Sequence, residues 1–236
     1  MFVLGVDTAT DYAVVGVTAD GETAHEVAIP PGPDGRPRHS QVLLSEIERA
    51  VDAAGGWSRI ERVAVGIGPG SFTGLRIGIA TARALAQARE VPLAPVGSLS
   101  ALGRGISESL GPDTERALPV FDARRNEAFA ALFTAGNDER WPPFVAPPEE
   151  LAGRVRELDE TALAAGDGAL RFAAELEAAG ATVAPPEDPI HRVAARHVCA
   201  VGEAATEAPT DQIQPLYLRP PDAKRWRERD RGVPRG

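Results

Sequence analysis

Asp7 is the acidic residue best placed for chemistry. It closes the apolar run Phe2 to Val6 and opens Asp7-Thr8-Ala9-Thr10, at the carboxyl end of a strand, where open α/β sheets hold ligands. An Asp-Thr pair there can also bond its own turn backbone, and both readings stay open. The second candidate is Gly66-Ile67-Gly68-Pro69-Gly70-Ser71-Phe72-Thr73-Gly74-Leu75-Arg76-Ile77-Gly78, with five glycines in thirteen residues at a strand-to-helix junction. Glycine weakens both element types, so these glycines imply a close visitor to the backbone.

Several chemistries fail on residue type. Lys224 is the only lysine, so no lysine of the body can grip a phosphate or form a Schiff base. The glycine run lacks the phosphate-loop lysine and the dinucleotide fingerprint. Pro69 stands where a nucleophile elbow needs glycine, and Ser71 reads as a helix N-cap. His25, His39, His191 and His197 offer no pair three or four apart for a metal on one helix. Cys199 near His197 is a weak metal hint and otherwise a buried thiol. Arg124 and Arg125 can hold an anion, or pair with Asp122 or Glu127 in a solvated turn.

The helix after the glycine run carries Gly74, Gly78, Ala82 and Ala86 at every fourth position, a bare stripe flanked by Leu75, Ile79 and Leu85. Such a stripe admits another backbone closely, either the chain's own sheet or a partner's helix. On the second reading Phe72, Gly74, Leu75, Arg76, Gly78, Ile79, Ala82 and Ala86 form a partner interface.

The positioning elements follow from pattern. Strands are expected at Phe2 to Val6, Tyr12 to Thr18 and Thr23 to Ile29, with Asp20-Gly21 as a hairpin turn. A helix bearing Leu43, Ile47, Ala50, Val51 and Ala54 stops at Gly55-Gly56. Val63 to Ile67 and Pro92 to Val96 are strands around the Phe72-to-Arg89 helix, and Ser98 begins a third helix. This is the strand and helix order of the ribonuclease H-like lobe, which the actin-like ATPase fold pairs around a cleft. We therefore expect an α/β two-lobe fold with mixed sheets: residues 1–103 as the first lobe, 104–220 as a smaller second lobe, and 221–236 as an Arg-rich, disordered tail. In the second lobe, Ala117 to Phe121 and Glu127 to Phe133 read as paired strands. Glu149 to Leu158, Leu170 to Ala179 and Val193 to Ala205 read as helices.

The net charge is −9, yet from Asp222 to Gly236 six Lys/Arg face three Asp/Glu, so the tail is +3 and the rest −12. An acidic body argues against a stand-alone nucleic-acid binder. One cysteine fits a reducing compartment. No apolar run is long enough to span a bilayer, and no signal peptide is evident.

The motifs Asp7-Thr8-Ala9-Thr10, His39-Ser40-Gln41, Gly68 to Gly78, Asp122-Ala123-Arg124-Arg125-Asn126-Glu127 and Pro215-Leu216-Tyr217-Leu218-Arg219 resemble the TsaB (YeaZ) family along nearly the whole chain. The resemblance implies a cytoplasmic, non-catalytic scaffold with no cofactor of its own. It would act with a TsaD-type catalytic paralogue and a TsaE-type ATPase in threonylcarbamoyl modification of the adenosine next to the anticodon of tRNA. It also implies a homodimer in isolation and tRNA contact only through the complex, away from membranes. Asp7 and Thr8 would be a vestigial nucleotide site. The catalytic paralogue's His-x-x-x-His helix is replaced by Gly97-Ser98-Leu99-Ser100-Ala101-Leu102. The alternatives are an actin-like nucleotide hydrolase or kinase using Asp7, and a metallopeptidase of the glycoprotease type.

Overall fold

A computed structural model describes residues 1–219; the Arg-rich segment 221–236 lies outside the described residues. The first sheet contains β1 (Phe2–Asp7), β2 (Ala13–Ala19), β3 (Glu22–Ile29), β4 (Arg62–Gly68) and β5 (Leu93–Gly97), in the order β3-β2-β1-β4-β5. β1 pairs antiparallel with β2 and parallel with β4. Both faces of β1 are covered, which is why it is apolar throughout instead of alternating. The β2–β3 turn places Asp20 and Gly21 at positive φ, as the Asp-Gly signal requires.

Helix α1 (His39–Ala53) and helix α2 (Phe72–Arg89) cover one face of this sheet. Ser71 caps α2 by accepting from the Gly74 amide, and Glu90 ends it in the left-handed conformation. Helix α3 (Ser98–Glu108) follows β5.

The second sheet contains β6 (Arg116–Asp122), β7 (Ala128–Thr134), β8 (Glu139–Ala146), β9 (Ala162–Ala165) and β10 (Thr182–Val183), in the order β10-β9-β6-β7-β8. Counted within each sheet, this repeats the strand order of the first; only β9 and β10 are short. The sequence pattern hid the repeat. β8 carries Pro142 and Pro143, which an edge strand tolerates, and β9 is a bare Ala-Leu-Ala-Ala. Helix α4 (Pro148–Arg156) has Glu149 and Glu150 in its first turn and Arg154 and Arg156 in its last, both favoured by the helix dipole. The helix expected over Leu170 to Ala179 is two pieces, α5 (Asp167–Arg171) and α6 (Ala173–Ala178), broken at Phe172.

Residues 103 and 104, where the sequence divides the lobes, lie inside α3, which packs on β6 and β7. In return, α7 (Ala195–Ala204), expected in the second lobe, packs on β1, β2 and β4 of the first sheet. Each sheet is thus covered by the last helix of the other half. Val3, Leu99, Ile106, Phe121, Phe133 and Val198 join in one core between the sheets. Arg62 of β4 secures the exchange by donating to the carbonyls of Gly202, Glu203 and Ala205 at the end of α7.

Candidate functional site

The Asp7 side chain leaves the end of β1 and turns into the protein, 2% exposed. Its Oδ1 accepts from the Ala9 amide (2.7 Å) and its Oδ2 from the Ser98 hydroxyl (2.5 Å). The Ser98 oxygen accepts in turn from the Gly68 amide (3.2 Å). Asp7 therefore ties β1 to β4 and to the first residue of α3. Burial raises its pKa, opposed by the bonds from Ser98 and Ala9. Thr8 is fully buried and donates to the Gly74 carbonyl (2.8 Å). Asp7 and Thr8, expected as a vestigial nucleotide site, do not line the cleft between the two sheets, and both side chains are engaged within the protein.

That turn is also the close visitor implied by the glycine run. A Cβ on Gly66 would stand 1.8 Å from Asp7 Oδ2; on Gly70, 2.3 Å from the Ala9 carbonyl; on Gly74, 2.1 Å from the Thr8 carbonyl; on Gly78, 2.2 Å from Thr8 Oγ1. Gly68 is needed for its φ of 102°. Gly74, Leu75, Gly78, Ile79, Ala82 and Ala86, expected at a partner interface, are all buried within the chain. The visitor is the chain's own Asp7–Ala9 turn. Of the expected interface, Phe72 and Arg76 remain exposed.

Between the two sheets lies a cleft of about 560 Å³. The β1–β2 turn (Thr10, Asp11) and the start of α2 face the β6–β7 turn (Ala123 to Arg125) and Asp167, with Leu216 to Arg219 as a third wall. Arg124, Arg125 and Asn126 all have positive φ, unusual for non-glycine residues and costly at about 1 kcal/mol or more each. The turn is held by Asp122, whose carboxylate accepts from the Arg124 amide (2.8 Å) and pairs with the Arg124 (3.2 Å) and Arg171 (2.8 Å) guanidiniums. Arg124 also reaches across the cleft to Asp11 (3.1 Å). The expected Asp122 pairing is present; the Asp11 contact joins two hairpin turns 113 residues apart and has no local sequence signal.

Asp167 borders this cleft and an adjoining 340 Å³ cavity. Its Oδ1 accepts from the Asp122 (3.1 Å) and Gly168 (3.0 Å) amides, and crowding by protein raises its pKa. His191 steadies the same turn: Nδ1 accepts from the Gly166 amide, and Nε2 donates to the Ala184 and Pro185 carbonyls. Cys199 and His197 face different ways. The Cys199 thiol, pushed up to about 12 by burial, donates to the Val3 carbonyl (3.3 Å). His197 meets Glu108 (3.0 Å), and burial lowers its pKa. His39 is buried against Gly74, and burial lowers its pKa as well.

Two facing lobes of like topology, with hairpin turns opposed across a cleft, define a protein of the actin-like ATPase fold. A ROK hexokinase from Thermus thermophilus shares that fold (TM-score 0.52, 15% identity, 86% of this chain and 99% of that one). So does YeaZ from Pseudomonas aeruginosa, at TM-score 0.74 and 25% identity over 92% of this chain and 99% of that one. Residues 34–152 match the family described as TsaD, tRNA N6-adenosine threonylcarbamoyltransferase. The Escherichia coli tRNA threonylcarbamoyladenosine biosynthesis protein TsaB is 30% identical over 71% of this chain and 72% of its own length. An uncharacterised Mycobacterium bovis protein is 32% identical over 94% of this chain and 93% of its own. A Mycobacterium leprae relative, also 32% identical, is longer, and the chain spans 56% of it. The chain belongs to the TsaB (YeaZ) family.

Proposed function

We propose that this chain is a non-catalytic scaffold subunit for threonylcarbamoyl modification of the adenosine next to the anticodon of tRNA, working with a TsaD-type catalytic partner and a TsaE-type ATPase. Family membership supports the pathway. The observation that carries the non-catalytic reading is the state of Asp7: its carboxylate is buried and holds Ala9 and Ser98. It organises the fold instead of facing the cleft, and Asp11 on the first-lobe wall is paired with Arg124.

The docking face in this reading is the outer side of α1 and α2. Leu44 is 59% exposed and Phe72 42%. Thr73, Arg76, Ala80, Ala84 and Ala88 are exposed along α2. Exposed apolar residues beside small ones suit a closely packed partner helix. Isolated chains would pair through the same face. The test is reconstitution of tRNA modification by a TsaD-type enzyme with its ATPase, with and without this chain. Modification should depend on the chain and survive Asp7→Asn; modification independent of the chain refutes the scaffold role.

A further inference from the structure

The third wall of the cleft is the chain's own C-terminal segment, and it is anchored to both lobes. The Leu216 amide donates to the Ile67 carbonyl at the end of β4 (2.7 Å). Tyr217 stacks on Phe72 with ring centroids 5.2 Å apart, and its hydroxyl accepts from Arg76 Nε (3.2 Å). Two residues on, Arg219 donates to the Ala123 carbonyl (2.9 Å) and to the Glu127 carboxylate, and lies 5.8 Å over the Phe129 ring. Leu216 and Arg219 are thus fixed to opposite lobes three residues apart. Three residues of fully extended chain span at most roughly 10–11 Å. With the Arg219 side chain completing the tether, the lobes cannot part far along this edge unless one anchor breaks.

The other edge is tied by Asp11–Arg124, and the base is filled by the core around α3 and α7. Two-lobe clefts that work by closure need a free edge to swing. We propose that Leu216–Arg219 is a strap that locks the two lobes in one closed arrangement, so that this cleft does not open and close as a ligand-driven hinge. A locked cleft agrees with a scaffold, but the strap stands on its own geometry. Its test needs no partner, so the two readings fail separately.

Cysteines introduced in the full chain at exposed Thr23 on β3 and exposed Glu149 on α4 report lobe separation by spin-label distance measurement. Cys199 is buried and stays unlabelled in the native protein. The expected result is one narrow distance distribution that millimolar Mg-ATP leaves unchanged. Arg219→Ala and Tyr217→Ala should each broaden it toward longer distances, and the pair should do so further. Near-UV circular dichroism checks that each variant is folded, and Tyr217→Ala serves alone if Arg219→Ala is not. A broad or two-peaked distribution in the parent, a shift with Mg-ATP, or folded strap variants that match the parent would overturn the lock.

Discussion

Gly66 and the Asp7 carboxylate occupy the same space: a Cβ on Gly66 would stand 1.8 Å from Oδ2. The neighbour cannot swing away, because both its oxygens are held. Gly66→Ala should therefore destabilise the chain by about 2–4 kcal/mol in denaturant unfolding. Asp7→Ala vacates the space while losing two bonds, so the double variant should be less destabilised than the sum of the singles. Additive effects would mean that the two residues do not compete.

Asp7 also makes stability depend on pH in a definite direction. Burial raises its folded pKa above 3.8, so the folded state holds the proton more tightly than the unfolded chain. Its contribution is full below 3.8 and is lost as pH rises through the folded value. Relative to Asp7→Asn, the parent should therefore lose stability as pH climbs from 3.8, with no further change above the folded pKa. Other carboxylates cancel in this difference. A pH-independent gap between the two proteins would show that burial does not perturb Asp7.

These relationships explain how much the sequence disclosed. Close approach at Gly66, Gly70, Gly74 and Gly78 was legible, because a missing side chain every few residues has few other causes. The identity of the visitor was not, since Asp7–Ala9 lies about sixty residues away and spacing along one helix is blind to it. The three-strand, helix, strand, helix, strand order of the first lobe was readable from apolar runs and Asp-Gly punctuation. The second lobe repeats it with Ala-rich β9, two-residue β10 and proline-bearing β8, which carry almost no periodic signal. The exchange of α3 and α7 escaped for the same reason as the Arg124–Asp11 contact: long-range placement leaves no local mark.

The two sides of α2 should respond oppositely to substitution. Gly78→Ala gains about 1 kcal/mol of helix propensity but sets a Cβ 2.2 Å from Thr8 Oγ1, on a buried β-branched side chain with little freedom to move. The clash should win, with a net loss of about 1–3 kcal/mol. Ala80→Leu, on the exposed side, should change stability by no more than about 0.5 kcal/mol while weakening co-purification with a TsaD-type partner. A stable Gly78→Ala would refute the packing account; unaltered partner binding by Ala80→Leu would refute the docking face.

Asp11–Arg124 is the more visible tie across the cleft but should be the weaker one. The side chains are 44% and 65% exposed, so a double-mutant cycle on unfolding should give a coupling of only about 0.2–1 kcal/mol. It should shrink further in 1 M salt, where the screening length falls to about 3 Å. Arg219 is more sheltered and also reaches a backbone carbonyl, so Arg219→Ala should cost about 1.5–3 kcal/mol and depend less on salt. Equal losses for Arg124→Ala and Arg219→Ala at high salt would contradict this ranking.

Cys199 should be chemically silent in the native protein. Its thiol is buried between β1 and α7, and a Cβ on Gly5 would meet its sulfur at 2.7 Å. With its pKa raised to about 12, almost no thiolate exists at pH 8, and no reagent can reach it without unfolding. A disulfide-exchange reagent should therefore react with the folded chain at the opening rate of the core, and rapidly in denaturant. Gly5→Ala should speed the native reaction by loosening that contact. Fast, stoichiometric labelling of the folded parent would place Cys199 on an accessible surface and contradict the packing of α7 on the first sheet.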